Sequence, residues 1–277
     1  MYRGHLSEAA RWLEQALERS EKVPAAVRAK ALNAAGSLAI FLGSHERTDA
    51  FLQEAAALYL ELGDERGVAR ARGRLGHSAA DQGDWQRAET LYRESLELGR
   101  ELQYEDLVTT SLINLGWAAL CQENYEQATG FCGEALALAL ENRNKTAVGA
   151  ASTNLGWAEL GKGDHARAAG LFRESLSQFR ELNNPVDIAE CLEGFAGVAG
   201  AQGEGERAAR LYGVADSLRE SLGAPLLSGD RPRYERHLSL ARSLLDEAAW
   251  KQAWDEGRAM TLERAMDYAL EVKGSGG

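Results

Sequence analysis

Small and large apolar residues return along this chain at helical spacing, and the pattern itself returns every forty residues. The stretches "DWQRAETLYRESL" (84–96), "NYEQATGFCGEAL" (124–136), "DHARAAGLFRESL" (164–176) and "EGERAARLYGVAD" (204–216) each carry a small residue, a large one four later and a small one three beyond. These are Ala88, Tyr92, Ser95; Ala128, Cys132, Ala135; Ala168, Phe172, Ser175; and Ala208, Tyr212, Ala215. Spacings of four and three fall on one helix face. Small residues admit a second helix closely, and the large residue between them fills the crossing.

Two further series run in the same register. Glycine recurs at 36, 76, 116 and 156, with Ala196 in the next place; Gly43, Gly83, Glu123, Gly163 and Gly203 form the second. The first series predicts a close crossing on the other helix of each unit. The second predicts helix ends, because glycine takes the left-handed conformation without steric cost. Asp84 and Asp164 follow it as caps of the next helix. Each period is therefore an antiparallel helix pair, with units at about 23–62, 63–102, 103–142, 143–182 and 183–222. Upstream, "GHLSEAARWLEQAL" aligns with "GDWQRAETLYRESL", so residues 1–22 are read as the second helix of an incomplete unit. On this reading the chain is a fragment of a longer protein or starts within one, and the face of that first helix at Trp12 and Leu13 is open.

Composition agrees with an all-α fold: four prolines in 277 residues, 45% hydrophobic, without strings of Val, Ile and Thr. The net charge of −11 opposes direct nucleic-acid binding. No apolar run is long enough for a membrane span and the N-terminus lacks a signal-peptide core, so a cytoplasmic location without membrane attachment is expected. Cys121, Cys132 and Cys191 form no CxxC pair and read as buried free thiols. The five histidines lack ligand spacing, and neither a metal nor a cofactor is expected.

The first-helix glycine and the small-large-small second helix resemble the tetratricopeptide repeat, a family whose unit is about 34 residues. The extra residues here fall around "ELQYED", "ENRNKT" and "ELNNPVD", at the end of the second helix and the turn after it. The resemblance implies a right-handed α-solenoid of antiparallel helix pairs. After Leu222 the period stops: "GAPLLSGDRPRYERHL" is a break, and two or three short helices over 223–271 cap the array, with Trp250 and Trp254 closing its end. Residues 272–277, ending in "KGSGG", read as a flexible tail. "RAARLYGVADSLRESLGAPL" and "AWDEGRAMTLERAMDYAL" resemble the C-terminal end of tetratricopeptide segments in bacterial signal-transduction ATPases and LuxR-type transcriptional regulators. The nucleotide-binding and DNA-binding modules of such proteins are not in this sequence, which has no GxxxxGK[ST] loop.

Nothing in the chain supplies a positioned acid, base and nucleophile, and no enzyme is expected. Glu94 and Glu97 sit beside Arg93 on a solvated helix face; Ser95 and Ser175 are packing positions by register. Binding is the better reading. The family resemblance places Asn33, Ala34, Ser37; Gly73, Arg74, His77; Ile113, Asn114, Trp117; and Thr153, Asn154, Trp157 on a concave inner wall, joined by Lys30 and Arg70. The candidate binding residues are Lys30, Asn33, Ser37, Arg70, Arg74, His77, Asn114, Trp117, Asn154 and Trp157. Asn supplies donors and an acceptor, and Trp a flat face with one N–H. Two readings stay open for Asn114, Trp117, Asn154 and Trp157: they line the groove, or they pack between neighbouring helices. Ile113 and Thr153 stand where a carboxylate-clamping member of the family has lysine, which speaks against capture of a C-terminal carboxylate.

The function expected is that of a sensor or protein-interaction arm of a bacterial transcriptional or signalling regulator, binding a peptide, partner domain or small effector. The alternative is a stand-alone scaffold that assembles through its N-terminal end.

Overall fold

A computed structural model describes residues 2–18 and 23–271; residue 1 and the end, at 19–22, of the helix expected over 1–22, and the tail expected at 272–277, lie outside the described residues. Among the described residues there are fourteen helices and no strand. Helix α1 (Tyr2–Glu18) is followed by α2 (Ala25–Phe41) packed on α3 (His45–Glu61) and α4 (Glu65–Asp81) packed on α5 (Trp85–Glu101), then by α6 (Glu105–Cys121) and α7 (Tyr125–Glu141), and by α8 (Lys145–Lys162) packed on α9 (His165–Glu181) and α10 (Pro185–Ala201) packed on α11 (Gly205–Leu222). Three shorter helices follow, α12 (Arg231–Arg242), α13 (Glu247–Arg258) and α14 (Leu262–Leu270). Each of the two units is built from tetratricopeptide-like helix pairs in which first and second helices have nearly equal length, 17 or 18 residues. The lengthening expected at the end of the second helix is thus shared by both helices of a pair.

The equal halves show in the backbone. Positive φ occurs at Gly43, Gly63, Gly83, Gln103, Glu123, Arg143, Gly163, Asn183, Gly203 and Gly223, one residue in every twenty. The sequence marks one of the two interleaved series with glycine and largely hides the other. After most of these turns a side chain caps the next helix: Asp64, Asp84, Asn124, Asn144, Asp164 and Asn184 each accept from the N–H three residues on. Gln103 has φ +49° and is exposed. Left-handed backbone costs a side-chain-bearing residue about 1–2 kcal/mol, partly offset by the entropy glycine loses on folding. Gln103→Gly should therefore stabilise the chain by about 1 kcal/mol in urea unfolding, and a loss of stability would contradict the turn geometry.

The chain divides into two compact units, residues 1–118 and 119–277, with the division inside α6. In the first, Gly36 and Gly76 sit under the side chains sixteen residues later: a Cβ on Gly36 would lie 2.5 Å from Leu52 Cγ, and one on Gly76 2.5 Å from Tyr92 Cε1. Ser95 needs to be small and polar at once, since its hydroxyl donates to the Ala69 carbonyl at 3.2 Å and accepts from Ser111 at 2.9 Å. In the second unit the fully buried Phe172 ring lies between two helices, where a Cβ on Gly156 or Gly194 would approach it to 2.7 or 2.4 Å. The glycine that meets Phe172 from α10 is therefore Gly194, while Ala196, in register with the earlier glycines, is simply a buried core residue.

Cys132 and Cys191 are buried and Cys121 is half-buried; burial pushes all three thiols up to about 12, which leaves them inert. The end of the solenoid is covered by α13, whose Trp250 is 5% exposed and packs with Ala208, Ala209 and Tyr212 in one core.

Candidate functional site

The first unit gathers most of the predicted wall. Helix α2 presents Lys30, Asn33 and Ser37, α4 presents Arg70, Arg74 and His77, and α6 presents Asn114 and Trp117. Lys30 and Arg70 are exposed, Arg74 and Asn33 half-buried. Arg74 Nη1 donates to Asn33 Oδ1 at 3.1 Å, a link between first helices of successive pairs. Ser37 spends its hydroxyl on the Asn33 carbonyl at 3.0 Å. Asn114 is 8% exposed and hydrogen-bonds the His77 side chain. His77 stacks obliquely on Trp117 at 5.7 Å and meets Tyr92 edge-on at 5.4 Å. Trp85, at the start of α5, completes the aromatic group at 5.9 Å from Trp117. Sequence reasoning missed Trp85 because it belongs to a second helix; its only local signal is the "GDW" at the turn.

Charge distinguishes this wall. Arg28, Arg72 and Arg87 pair with Glu54, Glu94 and Asp49. Among the described residues, no carboxylate forms an ion pair with Lys30, Arg70 or Arg74. Burial and the neighbouring Arg70 both pull the Arg74 pKa down. Burial, then Arg74, lower His77 to about 4 against the ordinary 6.5, although its hydrogen bond to Asn114 opposes the shift. His77 is therefore neutral at pH 7, and folding is penalised progressively as pH falls from about 6.5 towards 4. NMR titration should place His77 near 4, and Arg74→Gln should raise it; a value at or above 6 would mean that the ring is solvated.

The second unit differs. Asn154 and Trp157, which the sequence allows either to line the groove or to pack between helices, are 7% and 2% exposed. Asn154 hydrogen-bonds Cys132. Trp157 is covered because α12 returns onto α8 and α10: the Arg233 guanidinium lies 4.6 Å from the indole centroid and the His237 ring 5.6 Å from it, with Phe172 edge-on at 5.3 Å. Gly197 lies in the same packing: a Cβ there would meet Leu160 Cδ2 at 2.9 Å, while Trp157 Cζ3 at 3.4 Å would be at ordinary contact distance. Beside Trp157, Arg219 holds Glu193 through two hydrogen bonds of 2.5 and 2.9 Å. Burial, then Asp230, push the Glu190 carboxyl up. A separate recess of about 310 Å³ between α12 and α13 is lined by Leu238, Trp250 and Trp254 and rimmed by Arg242, Glu247, Lys251 and Asp255.

Among the described residues no group of three or more His, Cys, Asp and Glu is arranged to hold a metal, and no helix is long and apolar enough to cross a membrane.

Residues 67–141 and, in an overlapping match, 106–181 fit the sequence family described as Tetratricopeptide repeat. No curated protein matches the chain. Among solved structures it is similar to a Rap protein complexed with Competence and Sporulation Factor, at 15% identity and a TM-score of 0.63, covering 87% of this chain and 71% of that one. BtubC (BKLC) from P. vanneervenii is similar at 19% identity and a TM-score of 0.59, covering 81% of this chain and 92% of that one. The apo form of RapI is similar at 15% identity and a TM-score of 0.58, covering 86% and 90%.

Proposed function

We propose that this chain, which carries tetratricopeptide repeats over residues 67–181, is a non-enzymatic interaction arm of a bacterial signalling or transcriptional regulator, and that its first unit binds an acidic segment of a partner protein in the cytoplasm. The observation that carries the reading is the charge of one wall. In a chain of net charge −11, Lys30, Arg70 and Arg74 stand on α2 and α4 without an ion-paired carboxylate among the described residues, and Arg74 acts on the His77 ring, which stacks on Trp117 with Trp85 beyond it. Cations left unpaired beside flat aromatic faces suit a peptide that brings carboxylates and an apolar side chain. The tail resemblance to LuxR-type regulators and signal-transduction ATPases supports the regulator part, as does the fold shared with a Rap protein solved with a bound factor.

Fluorescence anisotropy with labelled acidic, neutral and basic peptides tests this. Acidic peptides should bind, more weakly as salt rises, and Arg70→Glu with Arg74→Glu should cost at least about tenfold in affinity, or 1.4 kcal/mol. Equal binding of basic and acidic peptides, or no effect of the charge reversal, would remove the reading.

A second reading rests on Trp12, which is 64% exposed on α1. Such a face supports self-assembly. Sedimentation should then show association that Trp12→Glu abolishes; a monomer at every concentration would exclude it.

A further inference from the structure

In the second unit the face that α8 and α10 turn towards a partner is already covered, and what covers it is a piece of the same chain. Arg233 is 6% exposed. Its guanidinium stacks on Trp157 of α8 and its Nη2 lies 3.7 Å from Glu190 of α10. Its shorter ion pair, 2.8 Å, is with Asp230. Asp230 stands three residues earlier on the same segment, so that pair travels with Arg233.

Hydrogen bonding at this contact is incomplete. Trp157 Nε1, Arg233 Nη1 and His237 Nδ1 are buried without a partner. Trp157 and Arg233 also line a cavity of about 10 Å³ together with Glu190, Glu193 and Asp230. A buried donor left unsatisfied weakens the contact it sits in. Arg233 therefore fills a site whose planar aromatic wall and carboxylates suit a guanidinium, yet fills it imperfectly.

The two ends of α12 are held differently. At the C-terminal end Ala241 is fully buried, and a Cβ on Gly200 would lie 2.9 Å from its methyl. At the N-terminal end Arg231, Pro232, Glu235 and Arg236 are exposed, and the segment 224–230 before them is not helical. Arg236 pairs there with Glu123 and reaches the Tyr125 hydroxyl at 3.1 Å, exposed contacts of small worth. Lifting the segment up to about His237 thus breaks the Arg233 contacts, the His237 stack on Trp157 and the edge-on contact of Tyr234 with Tyr212 at 5.4 Å, while Ala241 keeps the helix attached.

We propose that Trp157 and Glu190 form an arginine-recognition pocket, that Arg233 fills it in cis, and that an arginine presented by a partner protein takes its place as the N-terminal part of α12 lifts. The pocket lies in the other unit from Lys30, Arg70 and Arg74 and selects the opposite charge, so it stands whether or not those residues bind an acidic segment. A guest held in cis lowers the apparent affinity of any competitor by the fraction of time the pocket is open.

The octapeptide RPRYERHL, residues 231–238, is a probe for the site in trans, read by anisotropy against the full chain. It should bind the Arg233→Ala chain at least about tenfold more tightly than the wild type. A peptide with glutamine in place of Arg233 should bind neither, and adding Glu190→Gln to the Arg233→Ala chain should remove binding. Equal affinity for Arg233→Ala and wild type, or equal affinity for the glutamine peptide, overturns the proposal. Should Arg233→Ala fail to fold by circular dichroism, hydrogen exchange of the wild type decides: amides of residues 233–237 should exchange well before those of α10 and α13. Protection equal to that of α13 means that the arm does not open, and the proposal falls.

Discussion

Replacing Gly257 by alanine should cost the chain about 3 kcal/mol or more, although it adds one methyl group to a cap helix. A Cβ at Gly257 would lie 2.0 Å from the Arg210 carbonyl oxygen and 2.8 Å from the Arg210 Cα. The contact is reciprocal: a Cβ at Gly213 would lie 2.3 Å from the Trp254 carbonyl oxygen and 3.3 Å from the Arg258 nitrogen. At Gly36 or Gly76 the obstruction is a side chain, Leu52 or Tyr92, which can shift rotamer at moderate cost. Between α11 and α13 both obstacles are main chain, so one helix must move bodily, and Trp250 leaves the core with it. Gly130→Ala is the control, because no atom lies within 4 Å of its added Cβ; it should gain up to about 1 kcal/mol from helix propensity. The Gly213→Ala, Gly257→Ala pair should cost less than the sum of the singles, since the first methyl already parts the helices. Urea unfolding of the four variants checks this. A Gly257→Ala value within about 0.5 kcal/mol of wild type would mean that the two backbones do not cross here.

How much of this could be read from the sequence depended on the range of the contact. The pairing of a first-helix glycine with a large residue sixteen places on is local, repeats, and was legible at Gly76 and Tyr92 and at Gly156 and Phe172. The second set of left-handed turns was not, because Gln103, Arg143 and Asn183 hold positions where the preferred residue is glycine. Trp157 illustrates the remaining limit. Its register placed it on the inner face, but its partner Arg233 lies 76 residues downstream in "RPRYERH", a stretch that reads locally as a charged surface helix. One signal was present: "GFAGVAG" strips side chains from one face of α10 at Gly194, Gly197 and Gly200, where Phe172, Leu160 beside Trp157, and Ala241 come to rest. Such bareness announces that something packs there, without saying what. The candidate wall of the first unit was more legible, since Arg74, His77 and Asn114 act through neighbouring repeats in register.

Removal of Arg219 should show how strongly the second unit depends on paired charge. Glu193 is 2% exposed on α10, and its carboxyl is pushed up by burial, an effect that the two Arg219 hydrogen bonds counteract. Arg219→Met retains most of the aliphatic bulk and leaves that carboxyl uncompensated, a change that typically costs about 3–5 kcal/mol. The loss has a ceiling at neutral pH, because Glu193 can take up a proton on folding; from an unfolded pKa near 4.3, that costs about 3.5 kcal/mol at pH 7. The sign follows. A carboxyl whose folded pKa is raised favours the folded state below its unfolded pKa and disfavours it as pH rises, so the deficit of Arg219→Met should be near its ceiling at pH 7 and shrink to about 1 kcal/mol at pH 5. Glu193→Gln in the same chain should recover much of the stability at pH 7, since an amide needs no counter-ion, and should flatten the pH dependence of the difference. Chemical denaturation of the wild type, the single variant and the double variant at pH 5 and pH 7 measures both effects. A deficit that does not change with pH would show that Arg219 acts through its packing and that Glu193 finds another cation; the nearby Arg233, 3.7 Å from Glu190, is the one placed to supply it, which would draw α12 more firmly onto its wall.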